Sequence, residues 1–463
     1  MGTISKTKYV QIEKSLVKLT YESSITFVTR ILELAIHIIS FIIIVRVLGP
    51  ERQGIYYLTL LLPTLLLTFC NMGIASSSVY HLGKKNYKAS DIIGNNILAT
   101  LILGVIGILI GFVIIVFFSS SLFKGVPKPY LFFALFLYPL LLFFTLLDKI
   151  LLGLIKIKEY NFYYIIQKLF FLILVLLFLI LFRLGITACI WANILSYSIT
   201  VILLLLFIKS VISQFKLKFN KRYLKDAFNF SLKVYIGNII VFLHYRIDVL
   251  IINIFINPIA VGFYSVAIAL VEKIWLISES AGTILFTKVA SETDPRNLKE
   301  FTPFICRNVL IISSLISVIL FFLAKPLLIL FFSGKYLNSV LSFKILLIGA
   351  ISMSGWQIIA NDLYGRGKPE LNIIISLPSL ILNIILNIVL IPNIGIIGAA
   401  WATSISYTFA FFAIAVVYHK ISGNPLSKFL FAEKSDFLVL KTVIISIFLR
   451  TIHLKSIKNV ISK

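Results

Sequence analysis

The 463-residue chain is 60% hydrophobic, has a mean hydropathy of +1.04 and carries a formal charge of +25. Too few polar residues remain to cover a water-soluble fold, which excludes a soluble domain. The basic excess does not read as a nucleic-acid surface, because Lys and Arg gather in short links between apolar runs, where they act as topology signals. Those runs are about 20 residues long, enough for a hydrocarbon core of roughly 30 Å. In lipid they must be helices, since each segment has to satisfy its own backbone groups.

In chain order, a polar tail (1–22) precedes twelve predicted spans. The first six are Ser23–Leu48, Ile55–Tyr80, Ile92–Phe118, Pro129–Leu152, Phe162–Phe182 and Gly185–Ile208. The second six are Phe230–Ile256, Ile259–Thr287, Phe304–Leu323, Leu341–Leu363, Leu371–Ile391 and Ile394–Tyr418. The chain thus divides into a six-helix bundle over 23–208, a basic linker over 209–229, a second bundle over 230–419 and a tail over 420–463. Within that tail, Phe437–Leu449 is only about 13 residues long, short of a crossing, and is expected to lie in the interface or against the bundle. Alternate links hold most of the positive charge, from Lys84 and Lys88 through Lys156 and Lys158, Lys209 to Lys225, and Arg366 and Lys368. The bias puts the N-terminus and these links in the cytoplasm. Cys70, Cys189 and Cys306 lie in or at the end of apolar runs without metal-ligand spacing and read as core residues.

Two phrases repeat. "GITACIWANILSY" (Gly185–Tyr197) returns as "GIIGAAWATSISY" (Gly395–Tyr407), at an offset of 210 residues. "GPERQGIYYL" (Gly49–Leu58) returns as "NPIAVGFYSV" (Asn257–Val266), at an offset of 208. Each phrase occupies the same place in each half. Halves with an even number of spans start on the same side, so they are parallel repeats related by an axis along the membrane normal. Such a duplication is expected to hold its substrate site between the halves.

"RVLGPERQGIYYL" (Arg46–Leu58), "RIDVLIINIFINPIAVGFYSVA" (Arg246–Ala267), "LLILFFSGKYLNSVLSFKIL" (Leu327–Leu346) and the run Gly365–Tyr407 together resemble polysaccharide-export flippases of the O-antigen (Wzx) type. The resemblance covers about Ser15 to Tyr418. It implies an all-α polytopic membrane protein with twelve helices, of the multidrug-extruder-like superfamily fold. It further implies translocation of undecaprenyl-diphosphate-linked oligosaccharide across a bacterial inner membrane by alternating access. Membrane lipid, a polysaccharide polymerase and a chain-length regulator would be partners. No nucleic acid, enzyme activity, metal or cofactor is implied. A multidrug or cation antiporter of the same superfamily is the alternative. Only a short run follows span twelve, which argues against the fourteen-span lipid II flippases. No Gly-rich phosphate loop with a Lys is present, so ATP is not the expected energy source.

Carrying a diphosphate through hydrocarbon asks for cations facing the bundle interior, and ionisable residues within spans are the candidates. In "RILELAIH", Arg30, Glu33 and His37 share a helical face. Arg30 either meets the diphosphate, held by Glu33, or forms a self-neutralising pair and snorkels. His37 is a proton site or a packing histidine. Arg246 is expected in the cavity, with a purely structural ion pair as the alternative, and Asp248, two residues on, pairs elsewhere or couples an ion. In span eight, Lys273 is a cavity candidate, while Glu272 and Glu279, seven apart and so on one helical face, either couple an ion or neutralise an arginine. Arg307 reads as a topology charge, and Asn383 and Asn387 as interhelical hydrogen-bonding groups.

Overall fold

The computed structural model describes residues 6–84, 87–212, 219–292 and 295–430. The run Phe437–Leu449 lies outside them. Helices occupy nearly all of the described chain, as segments in lipid must, and eleven of them are long and apolar enough to cross a membrane. α1 (Lys6–Cys70) contains two crossings, because Gly49 breaks it with φ 72 and ψ 172 just before Pro50, so twelve crossings result.

α2 (Ile74–Lys84) follows a turn at 71–73 that ends the second crossing ten residues before the sequence pattern predicts. The reason is local: the Asn71 amide donates to Leu67 O at 2.8 Å, and its carbonyl oxygen accepts from Gly73 N at 2.7 Å. From there each numbered helix is one crossing. These are α3 (Ala89–Leu122), α4 (Lys128–Gly153), α5 (Ile157–Leu181), α6 (Ile186–Val211), α7 (Lys221–Phe255) and α8 (Pro258–Ala290). They continue with α9 (Pro295–Phe332), α10 (Ser339–Gly365), α11 (Pro369–Ile394) and α12 (Ile396–Ser422), followed by the short α13 (Ser427–Leu430). π-type turns at Ile114–Phe118 and Leu176–Leu181 adjust α3 and α5 near their ends.

Two compact units emerge. The first holds Met1–Val266 with Pro326–Ser339 and Ile391–Ile396, and the second holds Ala267–Lys325, Val340–Leu390 and Ile397–Lys463. In the first unit, α4 is the enclosed helix, packed by α1, α2, α3, α5 and α6. One apolar core gathers Ile92, Leu147, Ile150 and Tyr223 at the end bearing the basic links, and a second gathers Leu48, Tyr56, Leu141 and Ile190 at the other. Exposed Val105, Leu109, Phe117 and Leu206 form the lipid-facing surface, where apolar side chains need no cover. Asn220 caps α7, accepting from Tyr223 N at 3.1 Å.

The repeated phrases are packing elements. Gly185 and Gly395 open α6 and α12 with φ 65 and 64, a conformation that a Cβ would strain. Trp191 and Trp401, at the same position of their phrases, are 40% and 39% exposed. Ser196 accepts from Gln167 of α5 at 3.4 Å, and Ser406 from Asn383 of α11 at 3.1 Å.

The other phrase meets its own copy inside the first unit. A Cβ on Gly54 would strike the Pro258 carbonyl and Gly262 N, and a Cβ on Gly262 would strike the Pro50 carbonyl and Gly54 N. The two turns therefore cross backbone to backbone through equivalent glycines. Beside this crossing, Arg46 donates to the last carbonyls of α9, Leu330 O and Phe331 O (2.8 Å to the latter), and Tyr336 Oη donates to Val45 O at 3.1 Å. A guanidinium there complements the negative end of the helix dipole.

Candidate functional site

Charge inside the first unit concentrates at the basic end. Arg30 and Glu33, three residues apart on α1, form an ion pair at 3.1 Å. The Arg30 guanidinium also donates to Tyr160 Oη of α5 at 3.3 Å and lies over the Tyr164 ring, 5.3 Å from its centroid. Its side chain is 53% exposed, whereas that of Glu33 is 17% exposed, so the pair keeps its cationic member accessible. A guanidinium held at one edge by a carboxylate and over one face by a ring retains donors for an anion.

Asp148 of α4 completes the cluster, and the sequence reading passed over it. Its residue is 5% exposed, and its Oδ1 is buried without a hydrogen-bond partner. The charge of the adjacent Lys149 reaches it first and that of Arg30 less, and Tyr160, Tyr164 and Tyr197 also interact with it. The adjacent Lys149 makes this position look like a charged helix end, and only the packing of α4 reveals that the carboxylate points inward.

The remaining candidates are elsewhere. His37 stacks on Phe41, with ring centroids 6.4 Å apart, and is one turn beyond the Arg30–Glu33 pair. Arg246 on α7 is half-buried and donates to Tyr245 O at 3.1 Å. Asp248 is 2% exposed and accepts from Tyr264 Oη of α8 at 2.7 Å and from Val249 N at 2.8 Å. Tyr264 is the repeat partner of Tyr56, which accepts from Asn193 at 2.8 Å, so one repeat pairs this tyrosine with an amide and the other with a carboxylate.

Lys273, Glu272 and Glu279 belong to the second unit. A tight turn at Glu272–Ile274 interrupts α8, so the helical register that would align Glu272 with Glu279 is advanced by about 60°. Glu279 is exposed, and Glu272 and Lys273 are half-buried. Asn383 and Asn387 hydrogen-bond as their spacing suggested, Asn387 to Asn383 O at 2.8 Å and Asn383 across to α12. Arg307 departs from its reading as a topology charge: it is 5% exposed and donates to Lys428 O at 2.9 Å.

Two further polar clusters escaped the sequence reading. In the second unit, Asp362 is fully buried and accepts from Thr302 at 2.5 Å, from Tyr418 at 3.0 Å and from Arg366, tying α9, α10 and α12 together. In the first unit, His81 of α2 sits among the rings of Tyr80, Tyr87, Tyr223 and Phe230. Neither of its ring nitrogens has a hydrogen-bond partner. Burial holds its pKa below the ordinary value, against the pull of Asp226, to which Tyr87 donates at 2.6 Å. Among the described residues, no group of three or more His, Cys, Asp or Glu side chains is arranged to hold a metal.

A model of the family described as polysaccharide biosynthesis protein matches residues 19–286. An uncharacterized membrane protein of Methanocaldococcus jannaschii is 31% identical over 269 residues, 56% of this chain and 63% of that protein. A probable low-salt glycan biosynthesis flippase of Haloferax volcanii is 25% identical over 202 residues, 42% of this chain and 41% of that protein. The chain thus spans between about two-fifths and just under two-thirds of the curated relatives it matches. In structure, the chain is similar to a lipid II flippase in an inward closed conformation, with TM-score 0.71 and 16% identity over 94% of this chain and 97% of that one. An inward-facing multidrug transporter gives TM-score 0.68 and 14% identity over 86% of this chain and 96% of that one. At these identities the likeness shows the fold alone, that of multidrug and lipid-flipping transporters, and the coverage shows that chain length does not separate this fold from that of the lipid II flippase.

Proposed function

The chain belongs to the polysaccharide biosynthesis protein family, and from that premise we propose that it is a flippase that carries a lipid-linked oligosaccharide across the membrane by alternating access. The observation that carries the reading is Arg30, a guanidinium set in place by Glu33, Tyr160 and Tyr164 with half of its side chain still accessible. Its chemistry suits the diphosphate that joins lipid to sugar, because its planar fork offers paired donors to phosphate oxygens. Arg246 serves as a second cation for the same cargo. In the finer reading the lipid is undecaprenyl diphosphate, the sugar is a surface-polysaccharide repeat unit such as O-antigen, the membrane is a bacterial inner membrane and the basic links face the cytoplasm.

A multidrug or cation antiporter would present carboxylates to its substrate. In this cluster Glu33 is engaged by Arg30, and Asp148 is buried behind it. The test is complementation of polysaccharide export. Arg30→Ala and Arg246→Ala should each abolish export at normal membrane abundance, while Arg30→Lys, which keeps charge but loses the fork, should retain part of it. Normal export by both alanine variants would end the anion-site reading.

A further inference from the structure

Lys344 is a cation inside a membrane-crossing helix, so the charge pattern of the links does not account for it. It lies on α10, shortly after Ser339, at the end away from the basic link of Arg366 and Lys368. It is half-buried, and its ammonium sits over the ring of Phe321 on α9, 4.4 Å from the centroid. Both residues belong to the second unit, as does Lys325, one turn beyond Phe321 on the same face of α9. The surface around them is the one that meets lipid. Leu341 and Ile348, on the Lys344 face of α10, are exposed, as are Val318 and Phe322 on α9. A surface so apolar borders hydrocarbon rather than water. There an ammonium requires an opposite charge or a route to the headgroups. The Phe321 ring covers one side of it but offers no acceptor oxygen, so N–H donors remain. Among the described residues, no carboxylate pairs with Lys344 or Lys325. The repeat does not explain Lys344 either. An offset of 210 residues sets it against Ala134, in a run of the first half that holds no charge from Leu131 to Leu147.

We propose that Lys344, Phe321 and Lys325 form a binding site for the phosphate of an anionic phospholipid in the leaflet at this end of the second unit. The ring holds the Lys344 ammonium at a lipid-facing position, and Lys325 adds a second cation about 6 Å further along α9. Phosphate oxygens take the free donors of Lys344 in charge-assisted hydrogen bonds. The acyl chains lie along Leu341, Ile348 and Val318, which are already bare. A zwitterionic phospholipid carries its own ammonium, which competes for the same phosphate. The site therefore prefers a lipid whose headgroup has a net negative charge. Each lysine beside the headgroup raises the affinity for a monoanionic lipid about fivefold. The proposal needs only that the chain stands in a bilayer, and it is independent of the role given to Arg30.

The test uses the full chain in detergent, with phosphatidylglycerol and phosphatidylethanolamine of identical acyl chains as probes and native mass spectrometry to count each lipid bound. With the chains identical, any preference reports the headgroup. The wild type should prefer phosphatidylglycerol, Lys344→Leu and Lys325→Gln should each lose about fivefold of that preference, and Lys344→Arg should keep it. Phosphatidylglycerol with a diazirine in its headgroup should label peptides of α9 and α10 that contain Phe321 or Lys344. Equal retention of both lipids by the wild type overturns the proposal and leaves Lys344 as a lysine that reaches the headgroup layer unliganded. A preference that survives Lys344→Leu, or labelling confined to other helices, overturns it as well. So does displacement of phosphatidylglycerol from the site by an equimolar farnesyl diphosphate ester of a hexose, which would make the occupant the transported lipid. Should Lys344→Leu fail to fold, the wild-type labelling and the preference of Lys325→Gln decide.

Discussion

Asp362 shows what one carboxylate does inside an apolar bundle. It is fully buried, and Thr302, Arg366 and Tyr418 all donate to it. Removing one partner of a buried ion pair leaves the other uncompensated, at a cost of about 3–5 kcal/mol. Asp362→Ala should therefore lower the thermal midpoint markedly, and an unchanged midpoint would contradict the role. His81 predicts the opposite behaviour. Its buried nitrogens have no partners, an arrangement that costs about 1–3 kcal/mol. Its folded pKa lies below the ordinary value, so below about pH 6.5 the unfolded chain binds a proton that the folded one does not, and stability falls as pH falls. His81→Phe should keep the ring contacts, raise the midpoint and remove that acid sensitivity, as unfolding scans between about pH 5 and 8 would read. At this scale, Arg30–Glu33 was legible because opposite charges three residues apart share a helical face. Asp148 was not, because nothing within its own run says which way a lone acid beside a lysine turns.

At the scale of elements, the repeat was the most legible feature, and the structure explains why it is written twice. Gly54 and Gly262 let two equivalent turns touch through their backbones. A valine at either position has no room and should cost about 1–3 kcal/mol. Because both glycines serve one contact, Gly54→Val with Gly262→Val should cost less than the sum of the single variants. Strictly additive midpoint shifts would contradict a shared crossing. The early end of the second crossing at Cys70 was less legible: "FCNMGIASS" stays apolar enough to pass for a continuous span, and the turn depends on where the Asn71 side chain donates. The tight turn at Glu272–Ile274 left no mark in the periodicity either, so the shared face assumed for Glu272 and Glu279 rested on a regular helix that the chain does not form there.

For the whole molecule, composition was decisive. A chain that is 60% hydrophobic with most of its charge in its links satisfies its backbone in lipid as helices, and the twelve crossings follow. We propose that this chain moves an anionic lipid-linked glycan outward. An inside-negative potential would assist by about 2.3 kcal/mol per net charge per 100 mV. The most direct measurement is the sidedness of the lipid-linked oligosaccharide in cells that lack this chain and express no other member of the family, read with a membrane-impermeant probe added outside. Glycan confined to the inner leaflet, released by the wild-type chain and not by Arg30→Ala, is the predicted result. Glycan equally accessible with and without the chain would contradict it.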